Sequence, residues 1–378
     1  MFNNMRNIMI TLSLLSALSC GGGGGGDGGD IGDSDGGGDQ TDGEILNAGL
    51  TGKFLDADKN GVWLLDAAKG TYEWVQHSDH KNQTDTDRFW PGCEPFVSAT
   101  RNNNKEFLIV VPEFLKSYVY SQYYDGQYSD VRFMVEGEVS GALMSDDGQY
   151  IALFVQVGSI SNPYWLSIYS REGVLLSERE LSRRSITWLT NHRILYSQDR
   201  TFYFTSPASA EPEYSLTLRD ATDEVWSGRI GGKTVSPDNT KIAFTLFTPG
   251  PYSRVDNARL FVMNIDGTDV RLLATTYNDE DPRLLAPEWS PDGRWIFVEE
   301  GYIPPVGTIY DGDVQNFGYR YIVPADGPVD KVYYLSENDN ERSPEVKMFW
   351  RYGFSPEPTG IITSQGSSAR YVWIPSPD

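Results

Sequence analysis

Histidine and cysteine are nearly absent from this 378-residue chain, which holds three of the first and two of the second. So few ligands exclude a cysteine-rich zinc module, and two cysteines give no disulfide framework. Outside the glycine-rich stretch from 21 to 44, neither Gly-x-Ser-x-Gly, His-Glu-x-x-His nor a phosphate-cradling Walker loop occurs. The usual signatures of α/β-hydrolases, zincins and P-loop enzymes are therefore missing. Basic residues are outnumbered, with 31 Lys and Arg against 53 Asp and Glu and a net charge of −22. Such a surface repels phosphate backbones and offers anionic lipid no basic patch, so no nucleic-acid partner is expected. No amphipathic helical pattern follows residue 45, which points to an all-β body.

At the N-terminus, Arg6 is the only charge before an apolar run from Ile8 to Leu18. That run is too short to span a bilayer as a stable helix and has the shape of a secretory signal. It ends in Ala17-Leu18-Ser19-Cys20, which resembles the bacterial lipoprotein signal. The resemblance implies that residues 1–19 are removed, that Cys20 is acylated, and that the acyl chains anchor the protein in a membrane. By the sorting pattern it resembles, Gly21 rather than Asp after the cysteine implies the outer membrane. Residues 21 to 44 hold 13 Gly and 7 Asp or Glu with Ile31 as the one apolar residue, so 20–45 reads as a lipidated cysteine and a flexible tether. With Cys20 acylated, Cys93 has no partner and is expected to be a buried structural thiol.

The body, 46–378, is organised by a recurring phrase of tight turn and apolar strand. The fullest copy is Trp289-Ser290-Pro291-Asp292-Gly293-Arg294-Trp295-Ile296-Phe297-Val298, with weaker ones from Ser145 to Phe154 and from Ser236 to Phe244. Pro sets φ for the first turn position, while Asp and Gly supply the side-chain acceptor and the positive φ that reverse the chain. Degenerate copies fit at Ser98-Ala99-Thr100, at Leu189-Thr190-Asn191-His192 and at Ser355-Pro356-Glu357-Pro358, making six phrases about 51 residues apart on average. A second hairpin follows several of them: Arg259 to Leu273 around an Asp266-Gly267 turn, Val62 to Val75, and Trp165 to Leu176. Two hairpins per period make four strands, the unit of a β-propeller blade. Six blades fit, with the N- and C-terminal strands sharing a blade and closing the ring. Seven fit if Phe54-Leu55-Asp56-Ala57-Asp58 is a decayed turn phrase of its own and Ala369 to Ile374 closes a separate blade.

Trp289-Ser290-Pro291-Asp292-Gly293 before Ile296-Phe297-Val298, preceded by Val262-Met263-Asn264-Ile265-Asp266-Gly267, resembles the repeat of TolB-like β-propellers. The resemblance is strongest over 229–336 and implies a six-bladed propeller in the bacterial envelope that serves as a docking platform for other envelope proteins. TolB itself is soluble and carries an extra N-terminal α/β domain. Here a lipid signal and a glycine leash stand in its place, so the chain reads as a TolB-like propeller lipoprotein.

Candidate chemistry is sparse. Ser78-Asp79-His80-Lys81 matches Ser-x-x-Lys but has no companion motif, and His77 with His80 forms at most a ligand pair. His192 falls in a blade turn, away from a central channel. Asp56-Ala57-Asp58-Lys59-Asn60-Gly61 begins like a calcium loop, but Ala67 occupies the twelfth position where a bidentate Glu is needed, leaving hairpin-turn chemistry. No catalytic residue, metal or cofactor is expected. Long connections facing away from the Ser-Pro-Asp-Gly turns carry Trp90, Tyr164, Tyr252, Tyr302, Tyr310 and Phe317, an aromatic rim suited to a protein or peptide partner. The expectation is a non-enzymatic, binding or scaffolding envelope lipoprotein. A carbohydrate-active propeller resembling the oligogalacturonide lyases and a purely structural envelope protein are the alternatives.

Overall fold

The computed structural model describes residues 49–376 apart from 78–95, 100–105, 157–163, 182–185, 219–228, 250–255, 277–283, 301–319, 349–371 and a few shorter gaps. Among the described residues there is no helix, and the strands assemble into six sheets. After β1 (Lys53–Asp58), β2 (Gly61–Asp66) and β3 (Tyr72–His77), the second sheet is β4 (Phe96–Ala99), β5 (Glu106–Glu113), β6 (Lys116–Tyr123) and β7 (Tyr128–Glu136). The third is β8 (Glu138–Met144), β9 (Tyr150–Gln156), β10 (Tyr164–Ser170) and β11 (Leu175–Leu181). The fourth is β12 (Ile186–Trp188), β13 (Ile194–Gln198), β14 (Thr201–Thr205) and β15 (Tyr214–Thr217). The fifth is β16 (Arg229–Val235), β17 (Lys241–Pro249), β18 (Asp256–Asn264) and β19 (Arg271–Thr276). The sixth contains β20 (Leu284–Trp289), β21 (Trp295–Glu300) and β22 (Arg320–Pro324), and β23 (Tyr333–Leu335), β24 (Lys347–Met348) and β25 (Val372–Ile374) complete the chain. Within sheets two to six, successive strands pair antiparallel from the innermost outward.

The ring closes as the sequence predicts. β25 pairs antiparallel with β1, so the C-terminal strand is the innermost member of a sheet ordered β25-β1-β2-β3. This corrects the reading of Phe54 to Asp58 as a seventh turn phrase. Those residues are β1 itself, laddered to Val62–Asp66 and Gly61 on one side, and the Asp-x-Asp spacing is that of a strand end. The same ladder pairs Asp56 with Trp63 and Asp58 with Gly61 as strand residues. A second correction concerns Ser98 and Ala99, which are strand residues of β4 opposite Leu108 and Phe107. The phrase at Ser355 and both cysteines lie outside the described residues.

Why every second strand reads as an unbroken apolar run follows from its place between two neighbours. In β9, Ile151, Leu153 and Val155 pack into the seam with the second sheet, while Ala152 and Phe154 pack into the seam with the fourth. In β21, Ile296 and Val298 face the fifth sheet and Phe297 faces the first. Period-two alternation thus sends apolar groups both ways, and the buried residues divide into six clusters, one per seam. Cross-seam neighbours run in a cycle through all six sheets and back to the first.

One strand was not anticipated. β23 leaves the sixth sheet and adds in parallel to the outer edge of β19, pairing Ala274, Thr275 and Thr276 with Tyr333, Tyr334 and Leu335. The edge of the fifth sheet is covered over that stretch, and Tyr333, Leu335 and Val346 join the core between the fifth and sixth sheets.

Candidate functional site

Because strands alternate in direction, the first-to-second and third-to-fourth connections of every sheet gather at one end of the ring. The second-to-third and sheet-to-sheet connections gather at the other. The two ends are called here the turn face and the loop face.

On the turn face the phrase has a reproducible hydrogen-bond grammar. Ser290 Oγ donates to Asp292 Oδ1 (2.6 Å), Asp292 Oδ1 accepts from the Arg294 amide (3.1 Å), and the Trp295 amide donates to Ser290 Oγ (2.9 Å). Ser145 with Asp147 and Ser236 with Asp238 repeat all three bonds. The fourth residue of each turn is left-handed: Gly148 (φ 70), Asn239 (φ 58) and Gly293 (φ 71), and His192 (φ 65) in the degenerate copy. The turn at Leu189–Arg193 keeps the reversal with Asn191 Oδ1 as acceptor for the Arg193 amide (3.2 Å).

The turns also tie sheets together, which their role as simple reversals does not imply. Asp147 Oδ2 lies 3.2 Å from His192 Nδ1, joining the third sheet to the fourth. Asn239 bonds Thr190 through both side chains and through the Thr190 amide (3.3 Å), joining fourth to fifth. Lys241 Nζ reaches Asp326 (2.6 Å), joining fifth to sixth. Asp292 Oδ2 accepts from Thr51 Oγ1 (3.1 Å) and Arg294 Nη2 donates to the Gly49 carbonyl (3.2 Å), joining sixth to first. His192 therefore sits on the turn face, as expected, and its ring stands against Tyr150 at 5.8 Å.

The strongest tie joins the second and third sheets and was not visible in the sequence. Arg171, in the turn after β10, is bidentate to the buried Glu106 carboxylate (2.8 and 3.0 Å). It also donates through Nε to Asp130 (2.9 Å) and through Nη1 to the Gly148 carbonyl (3.0 Å). Ser121 Oγ also donates to Glu106, at 2.9 Å. Glycine at 148 is required twice over, by its φ and because a Cβ there would stand 2.9 Å from Glu106 Oε1.

These bonds set the acid response. The Ser236 hydroxyl holds the Asp238 carboxyl below its usual range, and the Arg171 guanidinium does the same for Asp130. For Asp292, burial pushes upward but is outweighed by bonds from Ser290, Arg294 and Thr51. A depressed folded value means stability that is full above the unfolded pKa near 3.8 and lost as pH falls through the folded one. Circular dichroism is expected to show an unchanged fold down to about pH 4 and loss of stability only below it.

The loop face is bounded by strand ends. The β17–β18 ladder runs out to Pro249 opposite Asp256, the β21–β22 ladder to Glu299 opposite Arg320, and the β9–β10 ladder to Gln156 opposite Tyr164. Tyr164 opens β10 and so stands at this face, also opposite Leu181. Trp90, Tyr252, Tyr302, Tyr310 and Phe317 lie outside the described residues. The strands that flank their segments, β3 and β4, β17 and β18, β21 and β22, all end on the loop face. His80 and the Ser78–Lys81 motif lie outside the described residues, and His77 is the last residue of β3. Among the described residues no group of three or more His, Cys, Asp or Glu is arranged to hold a metal ion.

No protein-family model and no curated protein matches the chain. Solved structures do match. TolB from Acinetobacter baumannii is similar over 73% of this chain at 16% identity and a TM-score of 0.47, and this chain spans 62% of that one. Putative TolB from Agrobacterium tumefaciens is similar over 73% of this chain and 86% of its own, at 14% identity and a TM-score of 0.43. The C-terminal WD40 domain of Sif2 is similar over 74% and 80%, at 10% identity and a TM-score of 0.43. The likeness is one of fold, and the chain's own topology of four-stranded antiparallel sheets closed into a ring makes it an all-β propeller.

Proposed function

We propose that the chain is a non-enzymatic envelope lipoprotein whose propeller presents its loop face to a protein or peptide partner. The observation that carries this reading is where the polypeptide enters the ring. Gly49 and Thr51 are bonded to Arg294 and Asp292 on the turn face, so a leash ahead of residue 49 joins the propeller there. The turn face is occupied by sheet-to-sheet ties, and the loop face is left with the long connections that carry the aromatic candidates Tyr164, Tyr252, Tyr302, Tyr310, Trp90 and Phe317. A tether of about 28 residues has a root-mean-square reach of roughly 30 Å, enough to hold the ring off a bilayer while leaving the far face accessible.

Two measurements test the parts separately. Cys20→Ser is expected to move the protein from the membrane pellet to the soluble envelope fraction. Retention in the pellet defeats the lipid anchor. Tyr252→Ala, Tyr302→Ala and Tyr310→Ala together are expected to remove at least one specific partner from an envelope pull-down while leaving thermal stability within a few degrees. An unchanged set of partners defeats the loop-face assignment.

A further inference from the structure

The outer edge of the second sheet is long, regular and open. β7 runs for 9 residues and, among the described residues, has β6 on one side and no strand on the other. From Arg132 to Glu136 its register is unbroken, with Tyr120 opposite Arg132, Tyr118 opposite Met134 and Lys116 opposite Glu136. Val131 and Val135 are buried in the seam with the third sheet, while Arg132, Met134 and Glu136 are exposed on the other face. Met134 is 53% exposed and stands beside an exposed Tyr118. Among the described residues neither Arg132 nor Glu136 forms an ion pair. Lys116, although opposite Glu136, donates its Nζ to the Tyr118 hydroxyl (2.6 Å) and lies 4.9 Å from the centre of that ring.

An outer strand pairs with another strand unless shortness, charge or a covering segment prevents it. The remaining edges are protected in these ways. β19 is covered by β23, β15 and β24 hold 4 and 2 residues, and Glu73 of β3 is bonded to Lys53. On β11, Glu178 and Glu180 would face each other in a two-fold pairing centred between them. The charges of β7 select a copy of the strand instead of repelling it. Laid antiparallel on itself with Met134 opposite Met134, the strand sets Arg132 of each copy against Glu136 of the other, and Phe133 against Val135. We infer that β7 is a two-fold interface through which a second copy of this chain pairs edge to edge, joining two four-stranded sheets into one of eight. The fifth sheet already accepts a further strand, β23, on the equivalent outer edge. A single strand pair buries less than a standard interface, so the dimer is weak and dependent on concentration. Antiparallel pairing leaves both faces of each ring uncovered and points the two loop faces opposite ways. The surface is therefore separate from the loop face proposed above, and its test is independent of that reading.

Two experiments on the full mature chain test the register. In sedimentation equilibrium the wild type is expected to dimerise with rising concentration. Arg132→Glu and Glu136→Arg, each of which creates two like-charge pairs across the two-fold axis, are expected to weaken the dimer at least about tenfold. The two substitutions combined restore opposite charges at both pairs and are expected to restore wild-type dimerisation. In the second experiment, mild oxidation of Met134→Cys is expected to give a covalent dimer well above the background of the unsubstituted chain, because directly opposed residues lie about 4.5–5.5 Å apart between Cα atoms, within disulfide reach. Arg132→Cys and Glu136→Cys are expected to stay at background, since each stands roughly 13 Å along the strands from its own counterpart. All three positions are exposed, so the substitutions leave the fold intact. A wild type that stays monomeric overturns the inference. So does a dimer that tolerates either charge reversal, or a combined variant as weak as the single ones. Equal cross-linking from all three cysteine positions overturns the register and with it the interface.

Discussion

Arg171→Ala is expected to destabilise the propeller by about 3–5 kcal/mol, the cost of stranding a buried carboxylate without its partner. Glu106 is 3% exposed and is held by both terminal nitrogens of Arg171. Ser121 Oγ still donates to it once the guanidinium is gone, but it carries no charge to balance the carboxylate. The loss is larger than that of the exposed ties, since pairs such as Lys241 with Asp326 are solvated and contribute about 0–1 kcal/mol. The comparison that separates charge from packing is Arg171→Met combined with Glu106→Leu. Replacing both partners by apolar groups is expected to restore most of the stability in urea unfolding. A double variant as unstable as the single one contradicts the ion-pair account and assigns the loss to the Asp130 and Gly148 contacts.

Trp373→Ala is expected to cost about 3–5 kcal/mol and to raise the unfolding rate, because it empties the strand that closes the ring. β25 is only three residues long, and Trp373 is its fully buried centre. Its ring lies 4.6 Å from that of Phe54, and its indole N–H donates to the Thr51 carbonyl at 2.8 Å. Gly52 marks the same closure from the other strand. Its φ is +88, and a Cβ there would stand 2.4 Å from the Ile374 carbonyl oxygen, so Gly52→Ala is expected to weaken closure as well. Both variants are read by urea unfolding monitored by tryptophan fluorescence. Trp373→Ala within about 1 kcal/mol of wild type contradicts closure by β25.

The parts of this architecture that were legible in the sequence are those that local chemistry dictates. A Ser-Pro-Asp-Gly turn needs its Ser hydroxyl, its Asp acceptor and its left-handed residue next to one another, so Ser145, Ser236 and Ser290 marked β9, β17 and β21 before any contact was known. Strands buried on both faces announced themselves as apolar runs for the same reason. What stayed hidden depends on distance in the chain. Nothing near Arg171 points to Glu106, 65 residues earlier, and nothing in Tyr333-Tyr334-Leu335 says that it pairs with β19 rather than with its own sheet. Phe54 to Asp58 misled because Asp at alternate positions is shared by turns and by the polar end of a strand. One available signal was passed over: Ser376-Pro377-Asp378 repeats the opening of the phrase directly after β25 and marks where the closing strand stops. Of the aromatic candidates, only Tyr164 falls among the described residues, at the loop-face end of β10.

The two faces therefore differ in kind. The turn face is a belt of short-range polar bonds between neighbouring sheets, and Gly49 and Thr51 are bonded into it. The loop face is where the connections between strands differ most in length. Site-specific photo-crosslinking in cells tests this division most directly, with the probe placed in turn at Tyr164 and Tyr302 for the loop face and at Thr240 and Arg294 for the turn face. The account predicts a discrete protein adduct from Tyr164 and Tyr302 and none from Thr240 or Arg294. Adducts confined to the turn-face positions, or none from any of the four, contradict it.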